Sequence, residues 1–441
     1  MGVVNGVHGP VSHTHSESER MKSSLLERLK GLRSKNRVKS LIGLDLGSTV
    51  IKACELTMTE DGPVVTAVGR RDLHPGEELD EVLSAFFEEH NFSAKEVATA
   101  VSGRSVIVRH LAAPPIEDDL DLRSAMSFEA AKLLPFEHDE ILSDCGRLER
   151  TPAGEDGDED QNSDRIGVAL AACRNTVVEE QYRHVSAAGL TPIAVDVEVF
   201  ALANAFELCH GELSVAEMNE VDDEEGLESA NEDEAPAAVA NPYDDDDEEE
   251  LDDPYSGAYD DPYGDPVSVD LSEAPSISTT VAIADIGATR TQISVLVGGE
   301  TCFTREIAVG GADMTQAIAR RLGVEAEEAE ELKRMPEGRE EEVLEALETV
   351  LDDLVGDVSM SIDFVENHES VTVPRLLVTG GGSLTPGLIE ALVRGTGRDA
   401  ALWQPFEKLT IDAERVDTNE LNALGQELAV AIGLAARVIA A

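Results

Sequence analysis

Cysteine is scarce in this chain and forms no pattern. The five thiols, Cys54, Cys145, Cys173, Cys209 and Cys302, are odd in number and include no CxxC pair. That excludes a disulfide framework and a zinc ribbon, and it fits a reducing compartment. Long apolar runs are missing too: none approaches the roughly 20 residues needed to cross a bilayer. The N-terminus is polar and His-containing, unlike a secretory signal. The expectation is a soluble cytoplasmic protein. Cations are few, 34 Lys and Arg against 90 Asp and Glu, for a net charge of -56. Nucleic-acid binding needs clustered Lys and Arg, so that class is excluded. His8, His13 and His15 have loose metal-like spacing in a polar tail, whereas the other histidines form no cluster. No Ser-His-Asp or Cys-His constellation supports nucleophilic catalysis. There is no GxGxxG dinucleotide fingerprint and no Walker A sequence.

What is present is enough chain for two or three domains: 441 residues, 42% of them hydrophobic. Residues 1–39 read as an extension. Its first part is polar and disordered in character. Its second, MKSSLLERLKGLRSKNRVK, places Leu25, Leu29 and Leu32 at helical spacing among Lys and Arg. This segment reads either as a solvated basic helix or as one that touches an anionic membrane surface. Alternating strand and helix patterns then run from Ser40 to Cys209. About two dozen acidic residues follow between Glu217 and Glu273, where Lys and Arg are absent. With few apolar groups to offset chain entropy, 211–276 reads as a disordered insertion, either a solubilising loop or a docking tail for a basic partner. Strand and helix patterns then resume to the C-terminus. That end, LGQELAVAIGLAARVIA, is apolar all round and reads as a buried helix.

Three motifs carry chemistry. In Gly43-Leu44-Asp45-Leu46-Gly47-Ser48-Thr49, a buried strand ends in a carboxylate and a tight glycine turn. Gly47 lets backbone N–H groups approach phosphate oxygens, and Ser48 and Thr49 add hydroxyl donors. Asp45 beside a polyphosphate implies a cation, Mg²⁺. The second motif, Ile283-Ala284-Asp285-Ile286-Gly287-Ala288-Thr289-Arg290-Thr291, repeats this chemistry in the other half of the chain. Two such hairpins predict two related lobes that grip a phosphate chain from both sides, with Asp45 and Asp285 facing one metal. The third motif, Gly380-Gly381-Gly382-Ser383, sits between an apolar strand and a helix, where a flat ring could lie against the backbone.

The order of these motifs resembles the phosphate-1, phosphate-2 and adenosine motifs of the actin, Hsp70 and sugar-kinase superfamily. The finer resemblance, over nearly all of residues 40–441 outside the acidic loops, is to the PilM family. It is carried by LIGLDLGSTVIKACEL, AMSFEAAKLLPFEHDEI, ADIGATRTQISVL, FTREIAVGGADMTQAIARRLG and LLVTGGGSLTPGL. FEAAKLLPFEHDEI is the most discriminating of these.

The resemblance implies an α/β protein of the actin-like ATPase fold, with two RNase H-like lobes and a small inserted subdomain. It places the first lobe at 40–75 and 175–210, an SHS2-like subdomain at 76–174, and the second lobe at 277–441 with a helical insertion at about 310–370. It implies ATP and Mg²⁺ as cofactors. Asp45, Gly47, Ser48, Thr49 and Lys52 would serve the first phosphate loop, and Asp285, Gly287, Ala288 and Thr289 the second. Gly380, Gly381, Gly382 and Ser383 would form the adenosine loop, with Glu330 and Lys333 at ribose or base. Glu198 falls where bacterial actins keep a water-orienting carboxylate; it reads equally as a boundary residue between strand and helix. Hydrolysis is expected to be slow or absent. The implied partner is the cytoplasmic N-terminal tail of a PilN-type bitopic inner-membrane protein, with the assembly ATPases as further partners. Phe128, Leu133, Leu134, Pro135 and Phe136 form an apolar cluster that either contacts that tail or fills the subdomain core. The role would be a cytoplasmic scaffold, peripheral at the inner membrane, of a type IV pilus or a related secretion or DNA-uptake machine. A filament-forming, cell-division-type ATPase is the alternative. It would call for a C-terminal amphipathic membrane helix, which the C-terminus here does not resemble.

Overall fold

A computed structural model describes residues 39–103, 106–148, 150–151, 165–210 and 280–439. The N-terminal extension, the acidic loop at 152–164 and the acidic insertion lie outside the described residues, so the readings made of them stand as sequence expectations.

The chain opens with three strands, β1 (Ser40–Leu46), β2 (Val50–Thr59) and β3 (Gly62–Asp72). They form an antiparallel meander in which Asp45 stands opposite Lys52. Helix α1 (Leu79–Glu89) buries Val82, Leu83 and Phe86, as its amphipathic spacing predicts. Strand β4 (Glu96–Val101) lies parallel to β1. β1 is buried along almost its whole length because elements cover both sheet faces, which is why LIGLDL is apolar at consecutive positions.

A separate three-stranded sheet follows, in the order β5 (Val106–Ala113), β7 (Ile166–Arg174), β6 (Ile141–Leu148). Helix α2 (Asp119–Leu133) covers it. Its Asp118 cap accepts from the N–H groups of Leu120 and Asp121, and the helix stops just before Pro135. This unit has its own core of Leu122, Met126, Ala130, Leu134, Val168 and Leu170. The chain returns through α3 (Asn175–Ala187), β8 (Thr191–Val197) and α4 (Glu198–His210), with β8 parallel to β4.

The second half repeats the plan. β9 (Thr280–Ile286), β10 (Thr291–Val297) and β11 (Glu300–Ile307) form a meander. Helices α5 (Gly311–Leu322), α6 (Ala326–Arg334) and α7 (Glu340–Glu369) lead to β12 (Arg375–Thr379), which runs parallel to β9. Then come α8 (Leu388–Thr396), β13 (Asp399–Leu402), β14 (Thr410–Ile411), α9 (Thr418–Leu424) and α10 (Ala429–Ala435). The sheet orders are β14-β3-β2-β1-β4-β8 and β11-β10-β9-β12-β13. In both, an antiparallel meander is flanked by parallel strands on the β1 or β9 side, so both glycine turns lie at the same sheet end.

Two expected boundaries move. Residues 76–103 do not belong to the insertion, because α1 and β4 build the first lobe's core with Ile42, Leu44 and Ile51. The inserted unit starts at Val106. The stretch 277–441 is not all second lobe either. β14 pairs with β3, and α10 packs on β1 so closely that a Cβ on Gly43 would overlap the carbonyl oxygen of Ala431. The physical reason is that α10, apolar on every side, needs a sheet face and a second helix to cover it, and the first lobe supplies β1 and α4.

Glu55 on β2 is fully buried. Its carboxylate accepts from Ser93 N–H and Oγ at 2.6 Å, Thr66 Oγ1 at 2.7 Å and Ala94 N–H at 2.8 Å. Burial alone would raise its pKa; the donors from Ala94, Ser93 and Thr66 outweigh that and hold it below the ordinary value. Its stabilisation is therefore present above the unfolded carboxyl's pKa and is lost as pH falls through the folded one. Glu55→Gln is expected to cost about 2–3 kcal/mol at neutral pH. In urea melts, the gap between variant and wild type should shrink as pH drops below about 4.

Candidate functional site

The two turns meet at the lobe boundary. Gly47 and Gly287 each follow a strand ending Asp-x, and Ser48 Oγ lies 3.5 Å from Thr289 Oγ1. The third motif closes over the second turn. Gly380 adopts φ +89, which only glycine takes without strain. A Cβ there would overlap Asp285 Oδ1 and stand 2.5 Å from the carbonyl oxygen of Ile286. Gly382 N–H donates to that carbonyl at 2.8 Å. Together these elements enclose a cavity of about 600 Å³. Gly380→Ala is expected to push the loop off the second turn and abolish ligand binding there, with loss of nucleotide-induced thermal stabilisation as the readout.

The cavity wall includes Asp45, Gly47, Ser48, Thr49, Lys52, Glu198, Asp285, Gly287, Ala288, Thr289, Glu330, Lys333, Gly380, Gly381 and Gly382. Ser383 is the exception. It is 1% exposed, does not line the cavity, and its Oγ is buried without a partner. It belongs to the packing of the loop rather than to the wall.

The charges are unevenly paired. Asp45 and Lys52, opposite each other in the β1–β2 register, form an ion pair at 2.6 Å. Burial alone would lower the Lys52 pKa, but Asp45, Asp285 and Glu427 outweigh it and hold the ammonium above its ordinary value. The equivalent position opposite Asp285 is Gln292, whose amide instead donates to the carbonyl of Arg305 at 3.0 Å. Asp285 thus has no cation opposite it in the strand register, unlike Asp45. Burial, with Glu198 and Asp45 adding, pushes it up to about 7 against the pull of Lys52 and Arg290.

Glu198, at the start of α4, is held across the boundary. Ser102 Oγ donates to it at 2.6 Å, and Arg290 reaches its two oxygens at 3.2 and 3.3 Å. Burial and Asp45 raise its pKa, while Arg290 and Ser102 oppose the rise.

Three carboxylates against Lys52 and Arg290 leave the cleft one negative charge in excess when all are ionised. This suits a bound cation. Among the described residues, no group of three His, Cys, Asp or Glu could hold a metal alone. The arrangement therefore fits Mg²⁺, which keeps waters and phosphate oxygens as ligands, better than a metal caged by side chains.

Lys333 and Glu330 lie one helical turn apart on α6. Lys333 Nζ donates to Gly311 O at 3.1 Å, Thr315 Oγ1 at 2.9 Å and Glu330 at 2.6 Å. An ammonium has three N–H donors, so all are engaged inside the lobe. Lys333 braces α6 against α5, and Glu330 keeps its second oxygen for Arg334 at 3.1 Å.

Sequence reasoning missed Arg290, Ser102, Arg70 and Glu427. Arg290 stood inside the second turn motif and was open to assignment. Arg70 and Glu427, paired at 2.9 Å on the cavity wall, lie 357 residues apart with no motif around either.

The family model of the type IV pilus assembly protein PilM matches residues 43–221 and 267–439. Among solved structures, one titled as the PilM-PilN type IV pilus biogenesis complex is similar, with 23% identity and a TM-score of 0.67 over 92% of this chain and 99% of that one. The ethanolamine utilization protein EutJ from Carboxydothermus hydrogenoformans shows 14% identity and a TM-score of 0.46, over 96% of this chain and 99% of its own. The archaeal actin homologue Ta0583 shows 10% identity and a TM-score of 0.40, over 91% and 99%. The fold is the actin-like ATPase fold expected from the sequence.

Proposed function

The chain belongs to the PilM family of type IV pilus assembly proteins, and from that premise we propose that it is a nucleotide-dependent adaptor at the cytoplasmic face of the inner membrane. Mg²⁺-ATP binds in the cleft, and the lobe angle it sets governs affinity for the cytoplasmic tail of a PilN-type membrane protein. The observation that carries this reading is the convergence of two Asp-x-Gly turns and the Gly380–Gly382 loop on one cavity. In it, Asp45 and Asp285 would meet the metal, the turns would meet the phosphates, and the glycine loop would meet the adenosine. When bound, Mg²⁺ neutralises phosphate and carboxylate charge. Both Glu198 oxygens are already engaged by Arg290 and one also by Ser102, so the carboxylate is tied up rather than free to orient a water, which suits slow or absent hydrolysis. Among the described residues no helix is long and apolar enough to cross a membrane. Titration calorimetry with ATP, with and without Mg²⁺, tests the reading; absence of metal-dependent binding would overturn it.

The apolar cluster on α2 divides in two. Leu134 is 6% exposed and Phe136 packs against the subdomain core, with the Arg174 guanidinium 4.4 Å from its ring centre. Leu134 is a core residue, and Phe136 is partly buried against that core. Phe128 is 62% exposed. Leu134→Ala is therefore expected to cost about 2–5 kcal/mol of stability. Phe128→Ala should leave the melting temperature unchanged and weaken tail binding in a pull-down. Full tail binding by Phe128→Ala would remove this face from the partner contact.

A further inference from the structure

The inserted subdomain meets the first lobe through two short connections and one small apolar cluster at the neck, where Val101, Val178 and Val195 pack with Cys173, Val106 and Leu142. On one side the chain leaves β4 through Ser102 and Gly103, the latter at φ +84. On the other, α3 starts at Asn175 directly after β7 ends at Arg174. A neck of this kind lets a packed body tilt as a unit.

Two contacts with the second lobe restrain that tilt. At the neck, Ser102 Oγ accepts from Arg290 while it donates to Glu198. At the far end, Arg150, beyond the end of β6, pairs with Glu369, the last residue of α7. The Arg150 N–H also lies 3.4 Å from Glu300 Oε2, at the start of β11. The Glu369 side chain is only 9% exposed. Its other oxygen faces His368 Nδ1 at 3.3 Å. His110, on β5, borders the same cluster with its Nε2 buried and without a partner. Burial pushes its pKa down to about 4, so it is neutral and leaves Glu369 to Arg150.

One junction between the lobes is at Gln426, whose carbonyl accepts from Gly380 N–H at 2.7 Å and from Thr379 Oγ1 at 2.6 Å. Rotation of the second lobe about this point moves the end of α7. A subdomain pinned there by an ion pair to the buried Glu369 cannot stay fixed to the first lobe, so the neck at Gly103 and Arg174 has to turn.

We infer that the Arg150–Glu369 pair is the joint through which the inserted subdomain follows the second lobe, so that the nucleotide-set lobe angle reaches the surface that reads the membrane-protein tail. This rests on the adaptor reading given above and adds the mechanical link within it. Breaking the pair should leave both ligands bound and remove their dependence on each other.

The test uses the full chain and a synthetic peptide of the cytoplasmic tail of the PilN-type protein from the same organism. Peptide affinity is measured by fluorescence anisotropy in Mg²⁺-AMP-PNP and in Mg²⁺-ADP. In the wild type, the two affinities are expected to differ by about 5- to 150-fold. In Arg150→Ala and in Glu369→Gln the ratio should fall to unity, with Arg150→Lys retaining part of it. Arg321→Ala, which removes an exposed pair with Glu345 elsewhere on the second lobe, should retain all of it. Variants that bind both ligands and keep the wild-type ratio would overturn the joint. A wild-type ratio of unity with both ligands bound would overturn the nucleotide-to-tail linkage instead. Hydrogen exchange of the nucleotide-free chain judges the joint separately: β5 and β11 amides should exchange faster in Arg150→Ala, and unchanged protection would sink it.

Discussion

Replacing Asp285 by Asn is expected to make the protein more stable at pH 8 and to remove the Mg²⁺-dependent nucleotide binding proposed for it. The two effects have one cause. Asp285 stands opposite Gln292 rather than a cation, and it shares the cleft with Asp45 and Glu198. Its pKa is pushed up to about 7, while an unfolded Asp titrates near 3.9. Between those values the unfolded chain has released a proton that the folded chain retains. Stability is therefore lost as pH rises from about 4 to about 7, and the full cost remains above that. Asn keeps the shape without the charge. Because the carboxylate borders an open cavity, the gain at pH 8 should be about 1–2 kcal/mol, and it should vanish near pH 4. Nucleotide binding moves the other way. Removing one side of a desolvated charge contact costs about 2–4 kcal/mol, or roughly 30- to 1,000-fold in Kd. Metal-dependent affinity in the wild type should also rise with pH up to about 7, since the proton on Asp285 must leave before the metal is held. Thermal melts at pH 4 and 8 and calorimetry across this range check both signs. A variant that melts lower at pH 8, or that binds Mg²⁺-ATP as wild type does, would contradict the account.

The site was legible in the sequence where its chemistry is local. A strand, a carboxylate, a glycine turn and two small polar residues fit within one short stretch, and that stretch occurs twice. The doubling also revealed the two lobes. Contacts that join distant segments were not legible. Glu198 and Arg290 come from opposite lobes, and neither residue type signals the other. Lys333 showed its helical spacing from Glu330, but not that Gly311 and Thr315 would engage its remaining donors. The subdomain boundary was misplaced because EVATAV, in β4, is a short apolar run. A buried strand of a parallel sheet and a strand of a small packed sheet look the same at that length. The C-terminal segment was read as buried from its composition, but composition does not say which lobe it covers.

Adding a single methyl group at Gly433 is expected to destabilise the chain strongly. Gly433 lies in α10, and a Cβ there would overlap the carbonyl oxygen and carbon of Ala201 in α4. On the opposite side, a Cβ at Gly43 of β1 would overlap Ala431 O and stand 2.5 Å from Ala435 N. These neighbours are backbone atoms in a helix, so no side-chain rotation relieves the overlap. The helix would have to move off α4 or off β1, exposing Ile432 and Leu434, both fully buried. Gly433→Ala and Gly43→Ala are each expected to destabilise the chain by about 3 kcal/mol or more, at the upper end for overpacked cores. Gly356→Ala is the contrast. Gly356 lies within α7 with nothing within 4 Å of the added methyl group, and Ala favours the helix by about 0.5–1 kcal/mol. Urea melts of the three variants decide the matter. If α10 were a detachable tail of the kind a membrane-bound filament uses, Gly433→Ala would melt like wild type, and removal of residues 425–441 would leave a folded nucleotide-binding protein. Integration of α10 into the first lobe predicts the reverse in both experiments. It also predicts that loss of this helix weakens the cleft, because Glu427 and Val430, on the cavity wall, precede and begin the same segment.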